Sequence, residues 1–131
     1  MTDLKEYDYS EDEIEISKMF QQFFEGIKNL NADQILKIFY PKADSYSITP
    51  NGVCIEPTSN WTNIIEDAKA DPKHIFNELV TAQIVSIDIA GTAASVKTKW
   101  IFKSCEIIDF YNLININDKW LIVNQVYHSF A

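Results

Sequence analysis

The 131-residue chain contains no arginine: all 11 of its basic residues are lysines, against 19 acidic residues, so the formal net charge is −8. Without arginine, the chain lacks the planar guanidinium fork that binds carboxylates and phosphates through two parallel hydrogen bonds. An acidic chain also has little with which to neutralise nucleic-acid phosphates, and an anionic membrane surface would repel it. We therefore expect neither nucleic acid nor a membrane as a partner.

Residues that carry metal, redox or phosphate chemistry are also few. The two cysteines, Cys54 and Cys105, lack the CxxC spacing of zinc or redox sites, so two buried thiols are expected, with one disulfide as the alternative in an oxidising compartment. Of the two histidines, His74 has no partner nearby in sequence and is expected to be solvated. Three isolated glycines cannot form a phosphate-binding loop, and no serine lies in a nucleophile elbow. We expect no metal and no cofactor.

Two kinds of targeting segment are missing as well. The N-terminus shows no basic stretch followed by an apolar one, so no signal peptide is predicted. No apolar run approaches the length of a membrane span. The simplest interpretation is a cytoplasmic protein.

What the chain does have is enough apolar material for one core, with 47% apolar and 13% aromatic residues. We predict a single domain over residues 1–131. Its negative charge is concentrated at the start, because residues 1–15 hold seven acids and one lysine. One interpretation is a flexible acidic leader over residues 1–9 before a helix whose acidic first turn suits the helix dipole. The other interpretation is an interaction tail.

Two helices are predicted near the N-terminus. A capping box formed by Ser10 and Glu13 opens the first, over about 11–30, where apolar residues recur at steps of three and four. A second capping box, Asn31 with Gln34, opens a short helix. The first helix is amphipathic, with a wide apolar face rich in aromatic residues, and Pro41 is expected to end the second.

The rest of the chain is predicted to be mostly strand. Two short strands, 45–49 and 53–55, precede a third helix that Ser59 or Asn60 caps. Four longer strands follow, of which 105–116 is the third. The expected order of elements is therefore ααββαββββ.

The strand over 105–116 is apolar on both of its faces, with Ile107, Tyr111 and Leu113 on one, and Ile108, Phe110, Ile114 and Ile116 on the other. An antiparallel sheet with one solvated face would alternate apolar and polar residues. Three helices can cover only one face of this sheet. We therefore expect the outer face to contact a second copy in a homodimer; the alternative is a strongly curled sheet that covers its own outer face.

The order ααββαββββ resembles the nuclear transport factor 2-like superfamily, an α+β fold in which a cone of three helices packs on a strongly curved, mostly antiparallel sheet. The C-terminal half is similar to the "putative lumazine-binding" group, close to SnoaL-like polyketide cyclases, at residues 84–91, 109–113 and 118–128. The N-terminal half matches more loosely, at 24–26 and 39–44. Members of the superfamily include isomerases, dehydratases, cyclases and pure binding or docking domains, so the resemblance implies a fold and not one activity.

One activity of that superfamily can be tested against the residues. Ketosteroid-isomerase-like members place a tyrosine donor on the first helix and an aspartate base after the second. The corresponding positions here are Phe24 and Ser47. Neither side chain can supply that chemistry, so this isomerase mechanism is not expected.

A candidate site lies in the C-terminal hairpin. If residues 117–118 form a two-residue turn, Tyr111 faces Asn124, and Asp109 and His128 become diagonal neighbours on the same face. A carboxylate beside an imidazole is suited to general acid–base catalysis, and Tyr111 could stabilise a developing oxyanion. A bulge in the hairpin would change the register and separate these residues.

Three functions remain open. The first is binding of a small, flat or apolar molecule in a mainly apolar pocket. The second is a cofactor-independent isomerase, dehydratase or cyclase that uses Asp109 and His128 for catalysis. The third is a dimeric protein-interaction domain, and a purely structural role for Asp109 and the aromatic residues is the remaining alternative. The residues predicted to contact a ligand are Tyr46, Trp61, Trp100, Tyr111 and Asn124.

Overall fold

A long amphipathic helix, α1 (Ser10–Lys28), opens the part of the chain that the computed structural model describes, residues 7–131. The predicted acidic leader therefore lies outside the described residues except for residues 7–9. The capping box expected at Ser10 does not form, because Ser10 already belongs to the helix and donates its backbone N–H to Asp8 Oδ1 at 2.9 Å. The apolar face of α1 follows the predicted steps of three and four. Its buried residues are Ile16, Met19, Phe20, Phe23, Phe24, Gly26 and Ile27.

The second helix, α2 (Ala32–Leu36), is capped as predicted by Asn31, whose Oδ1 accepts the backbone N–H of Gln34 at 3.1 Å. The Gln34 side chain does not return to Asn31. It donates instead to a backbone carbonyl of α1 at 2.8 Å, and so fixes the two helices to each other.

The described residues contain six strands and one further α-helix. Helix α3 (Trp61–Ala70) lies between the second and third strands, flanked by two short 3₁₀ helices, Thr58–Asn60 and Ile75–Glu78. The observed order is thus ααββαββββ with these 3₁₀ helices added. The strands are β1 (Phe39–Thr49), β2 (Gly52–Pro57), β3 (Leu79–Ala90), β4 (Ala93–Phe102), β5 (Glu106–Ile116) and β6 (Lys119–Phe130).

All six strands form one sheet in the order β2-β1-β6-β5-β4-β3, and only the pair β1–β6 is parallel. Bulges within β3 and β6 and between β1 and β6 curve the sheet. Helix α1 packs on the inner face, where Phe20 contacts Tyr111 and Phe24 contacts Trp100, with ring centroids 5.1 and 5.0 Å apart. The inner face is defined in β4 by Ala94, Val96, Thr98, Trp100 and Phe102, all buried. The opposite side is the outer face.

The hairpin of β5 and β6 contains a bulge that changes its register. Its two-residue turn, Asn117 and Asp118, has positive φ at both positions, as the primed hairpin turns require. From the turn as far as the pair Leu113–Ile122, the two strands pair in the expected register. The register then shifts by one residue, so that Asn112 faces Asn124 and Val123 is the extra residue. Every side chain of β6 after Val123 therefore lies on the opposite face from the one predicted.

Three further expectations can be compared with the structure. Cys54 and Cys105 are free thiols, as expected. Both are only half-buried, whereas full burial was expected. The strand predicted over 45–49 begins earlier, at Phe39. Its pairing with β6 is irregular between Phe39 and Asp44, the segment that contains Pro41. No helix among residues 7–131 combines the length and the apolar character needed to cross a lipid bilayer.

Candidate functional site

A cavity of about 330 Å³ lies between the helices and the inner face of the sheet. Its walls are mainly aromatic, and the rings pack against one another in a continuous series. Phe23 meets Trp61 and Trp100 edge-to-face at 5.7 and 5.3 Å, and Trp61 stacks on Phe76 at 6.0 Å. The aromatic lining comprises Phe23, Phe39, Trp61, Phe76, Trp100, Phe102, Tyr111 and Tyr127.

Asp109 is the deeply buried charged group in this lining, with only 3% of its surface exposed. Its Oδ2 accepts the Tyr111 hydroxyl at 3.1 Å and the Thr98 hydroxyl at 3.4 Å, and its Oδ1 accepts the Gln125 amide at 3.1 Å. Thr98 in turn accepts the Trp100 Nε1–H at 3.0 Å. Every hydrogen-bond donor to the carboxylate is therefore a neutral group.

The strands fix this network through simple alternation. Asp109 and Tyr111 are two residues apart on β5, so their side chains lie on the same face. Thr98 is paired with Asp109 across β4, and Gln125 is paired with Tyr111 across β6. The four polar groups thus sit at neighbouring positions on three central strands, where helices cover them.

Burial raises the pKa of Asp109 from 3.8 to about 6, against the effect of hydrogen bonds from Gln125, Tyr111 and Thr98, which lower it. Burial, together with the neighbouring Asp109 charge, holds the pKa of Tyr111 well above its usual value. Near neutral pH, Asp109 is thus a carboxylate with a high proton affinity and Tyr111 a hydroxyl donor. Such a carboxylate can accept a proton or bind a ligand's hydrogen-bond donor.

His128 and Asn124 do not lie at this site, because the bulge at Val123 turns both to the outer face. His128 is exposed and packs against the ring of Phe130 with a centroid distance of 4.5 Å. Asn124 accepts the side-chain amide of Asn112 at 2.9 Å. The predicted neighbourhood of Asp109 and His128 is therefore wrong.

The predicted aromatic residues divide between the two faces. Trp61, Trp100 and Tyr111 line the cavity together with Asp109. Tyr46 does not, because it is paired with Val126 and lies beside it on the outer face.

The cavity residues that were not predicted from the sequence include four with polar side chains. Gln125 and Tyr127 come to the inner face through the bulge, for which the apolar run 121–123 is a signal, because it interrupts the alternation of β6. His74, expected to be solvated, is half-buried in the lining, and its Nδ1 accepts the Phe76 backbone N–H at 3.2 Å. Glu56 also lines the cavity and accepts the Asn60 amide at 3.1 Å.

Nowhere in the described range 7–131 do three or more His, Cys, Asp or Glu side chains group as a metal site requires.

The sequence from residue 11 to residue 128 matches the family described as "Putative lumazine-binding". The chain belongs to this family. The match covers α2, α3 and β1 to β5 completely, α1 except for Ser10, and β6 except for its last two residues, so it includes the cavity and the Asp109 network. No functionally curated protein matches the sequence.

Solved structures confirm the fold expected from the sequence. An NTF2-like (nuclear transport factor 2-like) protein of unknown function from Shewanella baltica is 22% identical, with a TM-score of 0.78 over 96% of this chain and 99% of that one. One from Silicibacter pomeroyi is 18% identical, with a TM-score of 0.78 over 94% and 99%. One from Methylobacillus flagellatus is 19% identical, with a TM-score of 0.75 over 93% and 94%. At these identities, the likeness establishes the fold alone.

Proposed function

We propose that this protein binds a small, flat or apolar molecule in its aromatic cavity. The observation that carries the proposal is the buried carboxylate in an otherwise mainly apolar enclosure. An ionised group in such a place costs stability, and an apolar residue of similar size would fill a core position more cheaply. A cavity with aromatic walls and a few convergent polar groups is the usual form of a small-molecule site.

The volume supports a ligand of about two fused rings. An apolar cavity of ~150 Å³ accepts benzene, and this cavity is about 330 Å³. The family description names lumazine, a fused two-ring heterocycle with N–H and carbonyl groups. Asp109 can accept an N–H of such an edge, whereas the Gln125 amide and the Tyr111 hydroxyl already donate to Asp109 itself.

Two consecutive residues of β5 test this proposal. Ile107 lines the cavity, whereas Ile108 lies on the outer face of the same strand. We expect Ile107→Trp to fill the cavity and abolish calorimetric binding of lumazine or naphthalene derivatives, while Ile108→Trp leaves binding unchanged. Circular dichroism confirms that both variants fold. Equal binding by both variants, or no binding of any such probe to the wild type, would contradict the proposal.

A second candidate is proton-transfer catalysis with Asp109 as the base. It is favoured by the pKa of about 6, close to neutrality, and by the Tyr111 hydroxyl beside the carboxylate. His128 has no part in this version. The test is exchange of the acidic C–H protons of a bound cyclic ketone in D₂O, followed by NMR. Wild-type protein would accelerate the exchange and Asp109→Asn would not, although the variant still binds the ketone.

We also propose that the protein forms a homodimer through its outer face. Side chains paired across four neighbouring strands, Ile55, Tyr46, Val126 and Phe110, give an apolar row on that face. Of these, Phe110 is 53% and Val126 48% exposed. Apolar patches of this kind mark association surfaces.

Sedimentation velocity tests the dimer with a matched pair of variants. Phe110→Asp places a charge in the outer-face row and is expected to give a monomer. Ile14→Asp changes a residue of α1 that is equally exposed, at 54%, and is expected to leave the dimer intact. A wild type that stays monomeric at high concentration would overturn the proposal.

A further inference from the structure

We propose that the ligand of this cavity is an organic cation, namely a protonated amine carried on a flat aromatic body, with its N–H group bound to Asp109. This inference rests on the proposed binding function and names the chemical class of the ligand. It follows from the charges of the lining, the hydrogen bonding of the carboxylate and the aromatic walls.

The charges of the lining have one sign. The carboxyl groups on the cavity side of the sheet are those of Glu56 and Asp109, and none of the described lysines lines the cavity. His74 is the remaining ionisable nitrogen base in the lining. An anionic ligand would be repelled at this site, and a cationic one attracted, because charges interact most strongly where water is excluded.

Among residues 7–131, no cationic side chain is paired with the carboxylate of Asp109, and the carboxylate can accept another donor. A carboxylate offers about four lone-pair positions. Two donors, Tyr111 and Thr98, bind Oδ2, whereas Gln125 alone binds Oδ1. An ammonium N–H at Oδ1 would complete the hydrogen bonding and also neutralise the buried charge. A neutral ligand could provide only the first of these.

The aromatic walls suit the same ligand. The ring of Phe76 stacks with the rings of both Trp61 and Phe102. The ring centroids are 6.0 and 6.2 Å apart, and the interplanar angles are 23° and 21°. Aromatic faces attract cations through the ring quadrupole, and they also stack on flat ring systems. The cavity therefore offers both a carboxylate for the ammonium group and surfaces for its carrier.

The ionisation of Asp109 agrees with a cationic ligand. Desolvation lifts its pKa to about 6, and a cation bound beside it would lower that pKa again. Cation affinity should therefore fall as Asp109 is protonated below about pH 6. The other titratable groups of the lining are Asp44, Glu56, His74, Tyr111 and Tyr127.

Three probes of nearly the same shape separate the possibilities. Naphthalen-1-ylmethylamine is a cation near neutral pH, naphthalen-1-ylmethanol is its neutral counterpart, and 1-naphthoate is an anion. Calorimetric titration of the wild-type protein at low ionic strength is expected to show the amine binding at least about tenfold more tightly than the alcohol, and the anion more weakly than either.

Two variants assign the preference to one carboxylate. Asp109→Asn should remove the advantage of the amine over the alcohol, because an amide cannot neutralise the ammonium charge. Asp88→Asn changes an exposed acid on β3, away from the cavity, and should change neither affinity. If Asp109→Asn does not fold, the wild type still decides through pH: amine affinity should fall between about pH 7 and pH 5, while alcohol affinity stays constant.

The outcomes distinguish this inference from the function on which it rests. Alcohol binding equal to or tighter than amine binding would overturn the cationic ligand and leave the proposed binding function standing. An amine preference that Asp109→Asn retains would also overturn it. Binding of none of the probes, together with no binding of lumazine, would overturn both.

Discussion

The two faces of β5 carry opposite kinds of exception to the rule that polar residues lie outside and apolar residues inside. On the inner face, Asp109 is 3% exposed and lies among aromatic rings. On the outer face, the next residue, Phe110, is 53% exposed. Exceptions of this kind concentrate where a protein gives up stability for function. We therefore propose a ligand site on one side of this strand and an association surface on the other.

The two exceptions differ in how far the chain itself compensates for them. The carboxylate of Asp109 is hydrogen-bonded by three side chains of the same chain. On the outer face, Phe110 receives only the ammonium group of Lys97, 5.6 Å from its ring centroid. At the proposed ligand site, the hydrogen bonds to Asp109 are therefore already formed within the chain. The exposed apolar row of the outer face is what the proposed dimer would cover.

The largest expected difference between the faces concerns stability. Tyr111 is fully buried and packs on Phe20 and Phe23, so Tyr111→Ala should lower the free energy of unfolding by about 3–5 kcal/mol. Its neighbour Phe110 is half exposed in the single chain, so in protein dilute enough to be monomeric Phe110→Ala should cost less than about 1 kcal/mol. Urea unfolding measures both. Similar losses for the two variants would mean that the outer face is buried as well.

The second prediction concerns pH. The folded pKa of Asp109 is raised from 3.8 to about 6, so folding favours its protonated form. The stability that this group contributes is therefore fully present below about pH 3.8 and is lost as the pH rises through 6. At about 1.4 kcal/mol for each pH unit, the loss is about 3 kcal/mol.

Thermal or urea unfolding of Asp109→Asn across this pH range isolates the contribution of that one carboxyl. Relative to the wild type, the variant should gain stability as the pH rises from 4 to 7. The control, Asp88→Asn, removes an exposed outer-face carboxyl and should track the wild type. Parallel curves for wild type and Asp109→Asn would show that Asp109 is ordinarily solvated.

The smallest expected effect compares two hydroxyls on β4 that both donate to side chains of β5. Thr98 on the inner face donates to Asp109 and accepts from Trp100, whereas Ser95 on the outer face donates to Asn112 at 2.8 Å. Thr98→Val leaves buried polar groups without a partner and should cost about 1–3 kcal/mol. Ser95→Ala should cost no more than about 0.5 kcal/mol, because water replaces the lost bond. A reversed order in chemical unfolding would contradict the contrast between the faces.

Local patterns predicted the helices, the strands and their order. The period of α1 and the cap at Asn31 are properties of neighbouring residues, so they can be derived from the sequence. The faces of β5 followed from alternation, with Tyr111 and Leu113 on one side and Phe110 and Ile114 on the other. The resemblance to nuclear transport factor 2-like proteins was inferred from the same order of elements.

The site could be predicted only in part, because it depends on one extra residue. Val123 shifts the register of β6, which removes Asn124 and His128 from the inner face and brings in Gln125 and Tyr127. The apolar run 121–123 interrupts the alternation of β6, but it does not by itself specify which residue is inserted or that the pairing with β5 shifts there. Asp109 and Tyr111 were unaffected because they lie on β5, which has no inserted residue.

The most direct test of the central claim is a ¹³C NMR titration of the Asp109 side-chain carboxyl, assigned by its absence in Asp109→Asn. A buried carboxylate without a cationic partner should titrate with a midpoint of about 6 in the free protein. Addition of the naphthylmethylamine should move that midpoint down. A midpoint near 3.8 in the free protein, unmoved by the amine, would contradict the claim that Asp109 is the buried anchor of a ligand site.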